Sequence, residues 1–176
     1  AAWNGMMLSA FAEGYRALHD PRYLAAAQKA ADFAMTRLWD GHALRRSFKD
    51  GVARFNGYLE DYALIAGGML DLWQATFDPK YLANARKFAD IIIERFVDPE
   101  RGGFFFTSSD HEQLITRFKG AFDGSTPSGN SAAVMALLRL NAYTGEEHYF
   151  AQAERTIKLF REFIEKQPFA FSHMLE

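Results

Sequence analysis

Apolar residues recur at helical spacing over three stretches, and each stretch breaks at a short turn and then resumes. In the first, Met7, Leu8, Phe11, Tyr15 and Leu18 form a stripe, His19-Asp20-Pro21-Arg22 interrupts it, and Tyr23 to Leu38 continues the periodicity. The second pair runs from Tyr58 to Phe77 and from Pro79 to Phe96; the third runs from Ser128 to Thr144 and from Glu146 to Lys166. Asp20-Pro21 and Asp78-Pro79 place a capping carboxylate before a proline suited to the first helical position. Gly145 suits a helix C-cap. The pattern predicts six helices in three hairpins, at about 3–39, 58–97 and 128–166, within one domain spanning 1–176.

The hairpins are related. Tyr23-Leu24-Ala25-Ala26-Ala27, Tyr81-Leu82-Ala83-Asn84-Ala85 and Tyr149-Phe150-Ala151-Gln152-Ala153 share one pattern, Tyr-apolar-Ala-x-Ala, at intervals of 58 and 68 residues. Between hairpins the connections are long and strand-like. Ala43 to Phe48 and Val52 to Phe55 flank Asp50-Gly51, a strong tight-turn signal, and Gly102 to Thr107 with Leu114 to Phe118 predict a second ribbon. Counting back 19 residues from Tyr23, Tyr81 and Tyr149 reaches Asn4, Tyr62 and Asn130. Trp3-Asn4, Glu60-Asp61-Tyr62 and Ser128-Gly129-Asn130 therefore sit at one level on three equivalent helices. The expected fold is all-α: three helical hairpins forming part of an (α/α)6 toroid, with short β-ribbons crowding one mouth. A plain six-helix bundle is the alternative.

Composition narrows the function. Nearly half of the 176 residues are apolar and 17 are Phe, which excludes disorder. A net charge of -2, with no basic run longer than Arg45-Arg46, argues against a nucleic-acid partner. No apolar run approaches the roughly 20 residues of a membrane span. The chain has no cysteine, which removes thiolate chemistry and fits a reducing, cytoplasmic setting. No histidine pair has metal-ligand spacing, so neither metal nor cofactor is expected. Ala1-Ala2-Trp3-Asn4-Gly5 carries no signal-peptide pattern and no convincing cap, so a piece of a longer chain is expected.

Several stretches together resemble one family: Ala2-Trp3-Asn4-Gly5-Met6-Met7, Gly57 to Ala63, Gly102 to Thr107 and Asp123 to Ser131. They look like the C-terminal part of the spermatogenesis-associated protein 20 family, which includes the bacterial YyaL-type proteins. The resemblance implies a toroid of the six-hairpin glycosidase type, related to N-acylglucosamine 2-epimerases and preceded in full-length members by a thioredoxin-like domain. It implies no defined reaction. Relatives among the epimerases move a proton with histidines on inner helices, and no inner helix holds one here: His19 and His148 belong to the short-turn end, while His42 and His111 lie in ribbon loops.

Glu60 and Asp61 are the sharpest candidate acids. Glycoside hydrolysis needs one carboxylic acid at the leaving oxygen and a second carboxylate for water or carbon. Neighbouring helical residues diverge by about 100°, so the two cannot face one substrate equally, and Asp123 is the expected partner. The competing reading is that these acids complement a helix N-terminus. Trp3, Tyr58, Tyr62 and Phe122 offer aromatic faces for a sugar or, equally, core rings; Asn4, Ser128 and Asn130 offer polar contacts, although capping alone accounts for Ser128.

Three functions compete. A carbohydrate-active enzyme acting at the ribbon-end mouth predicts that Asp61→Asn abolishes turnover without lowering the melting temperature. A non-catalytic domain would bind a glycan, or a client of the thioredoxin-like domain. An inactive isolated chain would self-associate through the exposed flanks of an incomplete ring.

Overall fold

The computed structural model describes residues 1–111 and 115–176. Among them run six α-helices: α1 (Ala2–Leu18), α2 (Pro21–Phe33), α3 (Leu59–Thr76), α4 (Pro79–Arg95), α5 (Gly129–Thr144) and α6 (Glu147–Lys166). The strands β1 (Arg45–Lys49) and β2 (Val52–Asn56) connect the first hairpin to the second. The turn chemistry works as the sequence indicates. Asp20 accepts the Arg22 N–H at 2.9 Å and Asp78 accepts the Lys80 N–H at 3.0 Å, each ahead of a first-turn proline. The preceding helices end in left-handed residues, Gly145 as expected but also His19 and Phe77. No helix among the described residues is long and apolar enough to cross a membrane.

Helices α1, α3 and α5 pack side by side as an inner layer, and α2, α4 and α6 each cover their own hairpin partner from outside. Inner packing is close because the contact residues are small. A Cβ on Gly5 would lie 2.5 Å from the Leu64 carbonyl carbon, and one on Gly68 would lie 2.8 Å from the Gly5 carbonyl oxygen. The outer helices instead bury large rings, Tyr81 and Phe88 from α4 and Tyr149 from α6. All three inner helices start at the same end, so the predicted common level is real: the Ala2 N–H reaches Asp61, and a Cβ on Gly129 would lie 3.1 Å from the Glu60 nitrogen.

The connections depart from expectation in one place. β1 and β2 pair antiparallel around Asp50-Gly51, both at positive φ, with Lys49 opposite Val52. The second predicted ribbon does not form as a strand pair among the described residues. Leu114, which that ribbon included, lies outside them. Gly102 and Gly103 take positive φ, so the chain turns back at once: Phe104 bridges Val97, and the Phe106 N–H donates to the Phe118 carbonyl. The return helix of the first hairpin reaches Leu38 as expected, its last stretch, Ala34–Leu38, widening to a π-type turn closed by the Trp39 N–H on the Ala34 carbonyl.

Candidate functional site

The rim at the N-termini of α1, α3 and α5 is built around Asp61. This residue has no exposed surface, and its oxygens face donors from three elements. Oδ1 accepts the Ala2 N–H at 2.8 Å and lies 3.1 Å from the Ala1 nitrogen. Oδ2 accepts the Tyr58 N–H at 2.9 Å, capping α3, and lies 3.2 Å from Arg46 Nη1 on β1. The same guanidinium nitrogen is 3.0 Å from Glu60 Oε1. Burial pulls the Arg46 guanidinium down, but the Asp61 and Glu60 carboxylates outweigh it and hold its pKa above the ordinary value. Asp61 thus ties α1, α3 and β1 into one piece, with both oxygens occupied.

Asp123 plays a comparable part beside α5. Its Oδ1 accepts the Ser128 N–H at 2.8 Å and its Oδ2 the His173 N–H at 2.9 Å, which links the loop before α5 to the C-terminal 3-10 turns. Ser128 is the α5 N-cap, accepting the Ser131 N–H at 3.1 Å. Asn130 is fully buried and works as a piece of backbone: its Oδ1 accepts the Phe104 N–H, and its Nδ2 donates to the Phe104 and Gly120 carbonyls, all at 2.8–2.9 Å. No group of this side chain is left for a ligand. Tyr62 is likewise in the core, packed on Phe96 and with its hydroxyl accepting the Leu44 N–H.

What remains open at the rim is Glu60 and a set of aromatic rings. Glu60 lies between two clefts. One, of about 440 Å³, is lined by Trp3, Asn4, Arg46, Phe55 and Glu60; the other, of about 290 Å³, by Glu60, Phe106, Phe118, Phe122 and Ser128. Trp3 is 79% exposed and Phe122 58% exposed, on opposite sides of Glu60. Tyr58 is held rather than free: it stacks on Phe106 at 4.3 Å between ring centres, with Arg46 over its face at 4.7 Å. His111, from the second connection, stacks on Tyr58 at 5.3 Å and so reaches the same rim.

A further polar group joins α3 to α5. On the inner face, Arg139 Nη2 of α5 meets Asp71 Oδ1 of α3 at 2.6 Å and Gln74 Oε1 at 3.2 Å. Gln74 also donates to the Tyr143 hydroxyl. Asp71 and Arg139 each stand alone among apolar neighbours, in Met69-Leu70-Asp71-Leu72 and Leu137-Leu138-Arg139-Leu140, and that contrast is the signal that marks them.

The fold is that of the six-hairpin toroid enzymes. Cellobiose 2-epimerase from Spirochaeta thermophila superposes with a TM-score of 0.73 at 20% identity, over 91% of this chain and 42% of its own. D-Mannose isomerase gives 0.71 at 15% identity, over 90% and 39%. An inactive α-1,6-mannanase variant of Salegentibacter sp., with two consecutive aspartates replaced and α-1,6-mannotetrose bound, gives 0.72 at 17% identity, over 90% and 46%.

By sequence the chain is related to the spermatogenesis-associated protein 20 family over nearly its full length, as its motifs indicate. The Mus musculus protein is 33% identical and the Homo sapiens protein 30% identical, each over 99% of this chain. The chain spans about a quarter of the length of these curated relatives. No protein-family model matches it.

Proposed function

We propose that the rim around Glu60 binds a hexose or hexose oligosaccharide, with Trp3 and Phe122 as stacking faces and Glu60 as the acid in contact with the sugar. The carrying observation is the position of Glu60 between two open clefts, each edged by an exposed aromatic ring. Aromatic faces suit the apolar faces of a sugar ring, and a carboxylate suits its hydroxyls. The fold neighbours support the same ligand class, since they act on cellobiose, mannose and mannan.

In this reading Asp61 positions the rim and Glu60 touches the ligand. Hydrolysis asks for a second carboxylate at roughly 5–10 Å from the first, and both Asp61 and Asp123 are occupied by backbone donors. The chemistry this chain itself supplies is therefore recognition plus one acid. Calorimetric titration with cellobiose and α-1,6-mannotetraose tests it. Glu60→Gln and Trp3→Ala are expected to weaken binding about tenfold each, the loss that follows from ~1.4 kcal/mol, with melting temperatures unchanged. Equal affinity in both variants would overturn the proposal, and chromatography of the same mixtures shows whether any product forms.

A further inference from the structure

Where the connection between α4 and α5 folds against the outer helix α6, it leaves a cleft of about 510 Å³. The two segments are tightly seated, since a Cβ on Gly103 would lie 2.7 Å from Leu159 Cδ2. One wall is cationic. Arg117 and Lys119 both lie over the ring of Phe105, at 4.2 Å and 5.0 Å from its centre, and Arg101 stands at the edge. The ring itself is fixed, because the Phe105 N–H donates to the Phe96 carbonyl at 2.8 Å. The opposite wall is apolar and consists of Leu159, Phe160 and Phe163 of α6. A second hollow, of about 240 Å³, shares Lys119, Phe160 and Phe163 with the first and continues to Ala121, Phe122 and Phe171. The two together form a trough with a charged end and a phenyl-lined end.

The charged end holds three cations against two carboxylates, Asp98 and Glu100. Asp98 meets the Lys119 ammonium at 2.7 Å, and the exposed Glu100 stands beside the exposed Arg101. Arg117 is the charge left over: no carboxylate among the described residues lies within ion-pair distance of it. Its Nη2 donates to the Arg95 carbonyl at 3.3 Å and to the Thr107 carbonyl, which fixes the guanidinium, while its Nε is buried and meets no acceptor. Burial draws the Arg117 pKa below the ordinary value, and the Asp98 carboxylate only partly offsets this. A desolvated cation with a donor unmade costs free energy that an arriving anion would restore. The surplus of one positive charge matches a single negative charge, and a guanidinium matches a carboxylate in shape. A small inorganic anion would leave the phenyl wall unused, and Phe163 there is 55% exposed.

We propose that this trough binds a single-chain amphiphile with a carboxylate head, the carboxylate meeting Arg117 and the apolar chain lying along Phe160 and Phe163 toward Phe171. The test is a nuclear magnetic resonance titration of the protein with octanoate, with octanol as the uncharged control and inorganic phosphate as the control without a chain. Octanoate is expected to shift the amides of Phe105, Lys119 and Phe163 and to bind about tenfold more tightly than either control, or better. Phe163→Glu removes part of the apolar wall and sets a negative charge against the ligand, at an exposed helical position that accepts glutamate without strain. It should weaken octanoate about tenfold or more with the melting temperature unchanged. Arg117→Met should bring octanoate down to the affinity of octanol. Glu60→Gln should leave the titration as it is, which separates this site from the rim. Octanol or phosphate binding as tightly as octanoate, shifts that survive Phe163→Glu or Arg117→Met, shifts lost in Glu60→Gln, or no shifts at all would each overturn the proposal.

Discussion

Ala2 donates its N–H to Asp61 Oδ1 at 2.8 Å, so the start of α1 is held by the first turn of α3. Ala1 brings no side-chain cap to α1, and the carboxylate from the neighbouring helix takes that place. The sequence leads one to expect that Asp61→Asn spares stability. The geometry predicts otherwise. An amide would turn a donor toward either the Ala2 N–H or the Tyr58 N–H and would leave Arg46 without its buried partner. Arg46 is partly exposed and keeps Glu60, so the cost falls on the buried N–H group left unmade, about 1–3 kcal/mol. Urea unfolding of Asp61→Asn should show a loss of that order, and Arg46→Met in the same background should add little to it.

Two glycines on the inner helices should respond to alanine with opposite sign. Gly5→Ala forces a Cβ into the Leu64 backbone at 2.5 Å, and overpacking against backbone destabilises by about 1–3 kcal/mol or more. Gly67→Ala meets open space and gains helix propensity of about 0.5–1 kcal/mol. Differential scanning calorimetry of the two variants should show one melting temperature falling and the other rising.

Asp98 sets a pH dependence. The Lys119 ammonium, at 2.7 Å, and the backbone N–H groups of Arg101 and Glu100 lower its pKa from 3.8 to about 2. The folded-state value lies below the unfolded one, so the contribution is fully present above the unfolded value and fades as pH falls from about 4 toward 2. Lys119→Met should therefore lower stability at pH 6. The gap to the unsubstituted protein should narrow in denaturant titrations carried down to pH 2.5.

Asn130 replaces a stretch of sheet edge with one side chain. Asn130→Ala leaves the Phe104 N–H, the Phe104 carbonyl and the Gly120 carbonyl without their partner, and each buried group left unmade costs about 1–3 kcal/mol. Hydrogen exchange at the Phe104 amide should speed up well before exchange in the core of α3. Unchanged protection at Phe104 would show that this side chain does not hold the connection.

Much of this was legible because hairpin turns and helical stripes are local. Asp20-Pro21, Asp78-Pro79 and Gly145 fix helix ends with their own side chains or backbone, and the spacing back from Tyr23, Tyr81 and Tyr149 finds a true common level. The capping of α3 by Asp61 was legible, but its hold on α1 was not, because that depends on a backbone N–H 59 residues away. Asn130 looks like a ligand contact in the sequence for the same reason, since Phe104 and Gly120 reach it only after the connection folds back. Among the described residues the second ribbon is reduced to the Phe106 N–H bond to the Phe118 carbonyl, because Gly102 and Gly103 turn Phe104 back onto Val97 instead. Asp71 and Arg139 carried a signal, a lone charge within an apolar run, but only the packing of α3 against α5 shows that the two signals answer each other.

The close crossing of Gly5 on α1 and Gly68 on α3, set against the buried rings of Tyr81 and Phe88 on α4 and Tyr149 on α6, makes the inner layer thin and the outer layer thick. Bricks tapered in one direction cannot be laid in a straight row. The arc traced by these three hairpins is thus written in side-chain volumes, and its radius is set by the difference in size between inner and outer residues. Enlarging the inner glycines would open the curve before it disturbed any single helix.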